Sequence, residues 1–283
     1  MLRRLLQSTG APHFSRESLR KFEHVAVPVM HAINANTRLK QGLHPFMYHF
    51  THNWVSLCTD NLWELHGLEH VRDLDPPQGV VLVSNHRSFF DMYMGSAILY
   101  RYAPHFMQRI FFPVRKDFFY DRPLGLVINL TVSGASMWPP VFRDDRKSHL
   151  NKVGMQQMGA VLVKGAVLGI HPEGRRGSGE DPWQLLPAKP GLGRLLRECH
   201  PDVLVLPFFT LGASNDVKLL ISRNFKPAGE RGQPVRYRFA APMRAADLLA
   251  DADDMQATSR VMDVIARLAA EDRADWQANP RVV

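Results

Sequence analysis

Two residues stand at a spacing that could move a proton: His86 and Asp91, in Asn85-His86-Arg87-Ser88-Phe89-Phe90-Asp91. A histidine titrates near neutral pH and can take a proton from an alcohol. A carboxylate on its other ring nitrogen would fix the tautomer and favour the imidazolium as it forms. No obvious nucleophile stands beside them, so the alcohol would belong to a substrate. The structural alternative is that Asp91 caps a helix while His86 satisfies a buried carbonyl, and a His-x4-Asp spacing also arises by chance. A second group is Glu173, Gly174, Arg175 and Arg176, on the glycine-bracketed stretch from His171 to Gly177. The planar fork of Arg suits phosphate oxygens, and a neighbouring Gly lets a ligand come close. The alternative there is a surface turn whose Glu and Arg pair with one another.

Both groups lie where the hydropathy pattern changes. Val80-Val81-Leu82-Val83 reads as a buried strand that stops at Ser84-Asn85, and Ser88 with Asp91 three residues later has the spacing of a capping box. Ala166 to Ile170 reads as another strand, running into His171. Residues 134–143 read as a short edge strand ending in Arg143, because Pro139 and Pro140 cannot sit in a central ladder. Strands alternate with helices from residue 79 to about 212, which predicts an α/β domain with a mixed, mostly parallel sheet flanked by helices. Ligand sites in open α/β sheets gather at the carboxyl ends of strands, so His86 with Asp91, Arg143, and Glu173 with Arg176 are expected to converge.

The rest of the chain is read more coarsely. Residues 1 to about 60 read as helical, with N-caps at Ser15 and Ser18, a stripe of Phe22, Val25, Val29 and Ile33, and a break at Asn34, Asn36 and Gly42. A second helix from about Pro45 carries Phe46, Met47, Phe50, Trp54, Val55 and Leu57. Such an amphipathic pair can pack on the main domain, 61–283, or lie in a membrane interface. His44, His49 and His52 lack a Cys or carboxylate at ligand spacing, so no metal is expected. Leu62 to Val71 suggests a first strand, 110–118 another, and Val203 to Phe209 a very apolar strand interrupted by Pro207. Helices are expected from Phe89, after Pro123, from Leu150 and from Lys189. Val217 to Ser222 and Val235 to Ala241 look like two further strands, and Arg244 to Leu268 like a helical end.

Composition narrows the classes. The 283 residues carry only Cys58 and Cys199, which argues against a disulfide framework and for a reducing compartment. No run approaches the 18 apolar residues of a membrane span, and Met1 to Gln7 lacks the apolar core of a signal peptide, so a cytoplasmic location is expected. The net charge is +8, and residues 101–200 hold fifteen Lys and Arg against eight Asp and Glu. An anionic partner is implied: nucleic acid, a phosphorylated small molecule or an acidic membrane surface. Against nucleic acid, the basic residues are scattered among apolar strands without aromatic interleaving or a reader motif.

Taken in order, Asn85-His86-Arg87-Ser88-Phe89-Phe90-Asp91, Val141-Phe142-Arg143, His171-Pro172-Glu173-Gly174-Arg175-Arg176 and Val205-Leu206-Pro207 resemble the four motifs of the glycerolipid acyltransferases, which include lysophosphatidate and glycerol-3-phosphate acyltransferases. The resemblance extends over about residues 62 to 245. It implies that His86 is the general base for the acceptor hydroxyl and that Asp91 orients it. Glu173, Gly174 and Arg176 would line the acceptor site, Arg176 and Arg143 would meet its phosphate, and Pro207 would shape the apolar side of the cleft. It also implies direct transfer from acyl-CoA or acyl carrier protein, with no cofactor, no metal and no acyl-enzyme. The third motif departs from the family pattern: it begins with His171 where an aromatic is usual, and has Arg175 in place of Thr and Gly177 in place of Ser. His171 and Arg175 could therefore alter the acceptor head group.

The expectation is an O-acyltransferase acting on 1-acylglycerol-3-phosphate or a related lysophospholipid, held at the inner face of the cell membrane by its N-terminal helices. The rivals are glycerol-3-phosphate acylation, a hydrolase in which His86 activates water, and a non-catalytic binder of anionic lipid.

Overall fold

The computed structural model describes residues 19, 22–131, 133–144 and 147–279. The caps expected at Ser15 and Ser18, and the opening Met1 to Gln7, lie outside these. In chain order the strands are β1 (Trp63–His66), β2 (Val80–Ser84), β3 (Ile110–Phe111), β4 (Val114–Arg115), β5 (Pro140–Val141), β6 (Val167–Ile170), β7 (Leu204–Leu211), β8 (Val235–Phe239) and β9 (Met243–Arg244). Four consecutive aliphatic residues make β2 apolar on both faces, so it needs neighbours on both edges and cover on both sides. It has β6 and β7 beside it, both parallel, and every residue of it is buried. The sheet runs β1-β8-β7-β2-β6-β3, with β9 also on β7; only the β7–β8 and β7–β9 pairings are antiparallel. The architecture is thus the mixed, mostly parallel α/β sheet expected.

Two features of this sheet position the site. Val83 is in register with Ile170, so the residues that follow β2 and β6 emerge side by side. The helix Asp91–Tyr102 then crosses β6 closely, because a Cβ on Gly169 would come within 2.6 Å of the Met92 side chain. Pro207 does not interrupt β7. At that point the antiparallel partner changes from β9, opposite Val205, to β8, opposite Phe208, and the Pro207 carbonyl accepts from Ala240 N at 3.0 Å. The missing N–H falls where no ladder needs it.

Several elements differ from the sequence reading. The expected strand at 217–222 is the helix Val217–Asn224, because the Asp216 carboxylate accepts from the amides of Lys218 and Leu219 and starts a helical turn. The expected strand at 110–118 splits around Pro113 into β3, in the main sheet, and β4, which pairs only with β5. Only Pro140–Val141 of 134–143 is strand. The first strand stops at His66, since Gly67 turns with φ +73° and Glu69–Arg72 is helical. After Arg244, which is itself in β9, a short helix Ala245–Leu249 precedes the long one, Asp254–Ala278.

The N-terminal region is helical with different boundaries. The helix Glu23–Ala35 buries Glu23, Ala26, Val27, Met30, His31 and Asn34, whereas Val25 of the expected stripe is exposed. Ion pairs turn it this way: Glu23 meets Lys116 at 2.8 Å and Lys147 at 2.7 Å. Asn36 alone breaks the chain, and its side chain accepts from Leu39 N at 3.1 Å. Helix then runs over Thr37–Phe46, a π-turn Met47–His52 and Asn53–Thr59, with Gly42 and Pro45 inside. Ala26, Val27, Met30 and Val55 join the same core as the sheet, while Leu39, Phe46, Trp54 and Leu57 remain exposed. Among the described residues no helix is long and apolar enough to cross a membrane.

Lys40 anchors these helices from inside. It is 3 % exposed, donates to Gly134 O at 3.0 Å and Ser136 Oγ at 3.2 Å, and burial lowers its pKa from 10.5 to about 7. Between those values the unfolded chain holds a proton that the folded chain has released, so stability rises with pH across that window. Below it, both states are protonated and the cost of burial is constant. Lys40→Met is therefore expected to stabilise the protein at pH 6 by roughly 1–3 kcal/mol, the relief of desolvation being partly offset by two acceptors left without a donor. Thermal midpoints at pH 6 and pH 9.5 check this: the gain should shrink at the higher pH, and a loss of stability at pH 6 would contradict it.

Candidate active site

The β2 strand hands over to the helix Asp91–Tyr102 through a turn that Asp91 organises. Its Oδ2 accepts from Arg87 N and Ser88 N, both at 2.7 Å, and lies 3.2 Å from His86 Nδ1. The Ser88 N–H contact is the returning half of the expected capping box; Ser88 Oγ takes Phe90 N instead, at 3.1 Å. Capping and orienting are therefore not alternatives here, since one carboxylate oxygen does both. Asp91 is fully buried, its Oδ1 meets no donor among the described residues, and its backbone carbonyl accepts from Tyr237 Oη at 2.8 Å. His86 is partly open to solvent. With Nδ1 committed to Asp91, Nε2 is the nitrogen left for a substrate.

The turn after β6 clasps the same histidine by its backbone. Glu173 Oε2 accepts from His86 N at 3.0 Å, and Gly177 N donates to His86 O at 2.8 Å. The convergence expected at the strand ends is thus present for these two groups. Glu173 is 3 % exposed, and its Oε1 accepts from Leu186 N at 2.9 Å, so both oxygens are engaged by backbone amides. Burial raises its pKa, against the pull of those two bonds. Gly174 has φ +65°, a conformation that favours glycine, and its carbonyl accepts from Arg143 Nη2 at 2.8 Å. Arg143 is exposed and belongs to the same side of the molecule as the turn. Arg176 is exposed and donates to Asn215 Oδ1 at 3.0 Å, an oxygen that also accepts from Phe89 N at 2.9 Å. Arg175 is exposed, and no described hydrogen bond or ion pair holds it. Pro207 stands apart from these groups, buried in β7 opposite Val83.

Some participants carried no signal in the sequence. Asn215 lies about forty residues beyond Arg176 in an unremarkable loop. Asn85 exchanges two hydrogen bonds with the Thr210 backbone, each 2.9 Å, tying the turn to β7. The Arg87 guanidinium donates to the carbonyls of Asp181 and Gln184, both at 2.7 Å, and so holds the loop that carries Leu186 to Glu173. That loop is fixed on its far side by Trp183 Nε1 on Asp272 at 2.8 Å and by the Asp181–Arg273 ion pair. Along the helix from Asp91, Tyr93, Ser96, Ala97 and Tyr100 share one face and border an apolar cavity closed by His52, Val55, Ile110 and Phe112.

Comparison with known proteins gives the following. The family model described as Acyltransferase matches residues 63–210. No curated protein matches the chain. Among solved structures, the 1-acyl-sn-glycerophosphate (LPA) acyltransferase PlsC from Thermotoga maritima is similar over 92% of this chain and 86% of that one, at 16% identity and a TM-score of 0.46.

Proposed function

Because the chain belongs to the acyltransferase family, we propose that it transfers a fatty acyl group from acyl-CoA or acyl carrier protein to the free hydroxyl of 1-acylglycerol-3-phosphate or a related lysophospholipid. The observation that carries this reading is the clasp: His86, whose imidazole meets Asp91, is fastened through its backbone N–H and carbonyl to the turn that bears Arg175 and Arg176. A base for an alcohol and guanidiniums for a phosphate thus belong to one unit.

The reaction follows from that unit. His86 Nε2 takes the hydroxyl proton as the oxygen attacks the thioester carbonyl, and Asp91 offsets the charge that appears on the imidazole. The tetrahedral carbon then expels the thiolate, which takes the proton back from His86. Arg176 and Arg143 hold the phosphate, beside Gly174. The exposed Leu39, Phe46, Trp54 and Leu57 rest on the inner face of the cell membrane, from which the acceptor is drawn.

A panel of acceptors with one radiolabelled acyl-CoA tests the reading: 1-acylglycerol-3-phosphate, glycerol-3-phosphate, a zwitterionic lysophospholipid and no acceptor. Label is expected in phosphatidate. Label released as free fatty acid without acceptor would identify a thioesterase, and label in glycerol-3-phosphate alone would move the acceptor within the class. Arg176→Ala is expected to raise the KM for the phosphorylated acceptor by about 10–100-fold, the range for one charge-assisted hydrogen bond, with kcat nearly unchanged. An unchanged KM would remove Arg176 from the phosphate site.

A further inference from the structure

One half-buried ring beside the base has no part in the reaction as written. His171, the residue after β6, lies parallel to His86, with ring centroids 3.9 Å apart and planes 9° from parallel. Its Nδ1 is 2.9 Å from Asn85 O and 3.3 Å from Ser84 O. Both are acceptors, so Nδ1 carries the hydrogen. Ser84 Oγ, 3.1 Å from the same nitrogen, gives its own proton to Asn85 O at 2.9 Å and can receive as well. The ring is thereby pinned to the end of β2, where the register of β2 and β6 brings it. Burial, and then the proximity of His86, push its pKa down to about 4, with Asp91 and the two carbonyls acting the other way. At neutral pH it is an uncharged plane lying against the base.

We propose that His171 is a positioning residue for the base: its anchored ring covers one face of the His86 imidazole, holds the plane in which Nε2 meets the acceptor hydroxyl, and presents π density to the imidazolium as it forms. His86 is then oriented twice, by Asp91 in the plane of its ring and by His171 on its face. The titratable groups facing His171 are His86 and Asp91 on the turn after β2, Arg87 beside them, and Glu173 two residues past His171. A phenylalanine can supply the same face and an aliphatic side chain cannot. The inference rests on His86 being the base.

His171→Phe and His171→Leu, made in the full chain, separate ring from volume. Phe is expected to keep kcat within about threefold, whereas Leu lowers it by about tenfold or more at unchanged acceptor KM, because a freed base loses alignment. In the wild type, nitrogen-15 histidine spectra should show His171 protonated on Nδ1 only and still uncharged at about pH 5.5. Wild-type kcat in the Leu variant, or a Phe variant as slow as Leu, overturns the role. So does a His171 resonance that titrates like a free histidine. A wild type inactive toward every acceptor would instead overturn the base assignment, and the spectra distinguish the two failures because they do not depend on turnover.

Discussion

Replacing His86 with Ala is expected to lower kcat by about 10³-fold or more, toward the upper part of the range that general-base catalysis supplies. The change removes the imidazole and little else. The backbone N–H of residue 86 still reaches Glu173 and its carbonyl still receives Gly177 N, so the two strand-end turns stay joined. Asp91 keeps Arg87 N and Ser88 N, two of its three donors, and the helix start survives. The thermal midpoint should therefore move by only a few degrees, and the acceptor KM should hold, because the phosphate is held by other residues. Transfer of labelled acyl groups, with thermal unfolding measured on the same sample, checks both halves. Turnover at wild-type rate would end the assignment of His86 as base.

How much of this could be read from the chain depends on how local the cause is. β2, β6 and β8 were legible because aliphatic runs bounded by turn residues leave a strand little competition. The segment 217–222 has the pattern of a strand and folds as a helix for a reason next to it: Asp216 supplies the cap, and a capped Val-Lys-Leu-Leu-Ile starts a helix despite its β-branched residues. The wrong face of Glu23–Ala35 has a distant cause. Its orientation is fixed by Lys116 and Lys147, roughly a hundred residues away, so a buried carboxylate displaces a valine from the inside. The site divides in the same way. His86, Asp91 and the Glu173–Arg176 turn stand at strand ends that alternation alone marks. Asn215, Leu186 and the hold of Arg87 on the 181–184 carbonyls depend on loops meeting in space, and no spacing in the sequence encodes that. The roles of Glu173 were the least legible: a conspicuous carboxylate beside two arginines invites pairing with them, yet both its oxygens take backbone amides.

Asp91→Asn carries the second large effect, and it separates orientation from charge. In serine-protease triads an Asp-to-Asn change costs about 10⁴ in kcat, because the amide stabilises the wrong tautomer. Here the geometry directs a different outcome. Arg87 N and Ser88 N both donate to Oδ2, so an asparagine must place its carbonyl oxygen there and its NH₂ where Oδ1 stands. The oxygen facing His86 Nδ1 is retained, and with it the tautomer. What is lost is the negative charge that favours the imidazolium, and an NH₂ is buried where Oδ1 meets no described partner. The expected fall in kcat is therefore about 10²–10³-fold, smaller than for His86→Ala, with a stability loss of about 1–3 kcal/mol from the unpaired amide. A fall as large as that of His86→Ala, with the thermal midpoint lowered well beyond this range, would mean that Asp91 acts by shaping the turn and not through its charge.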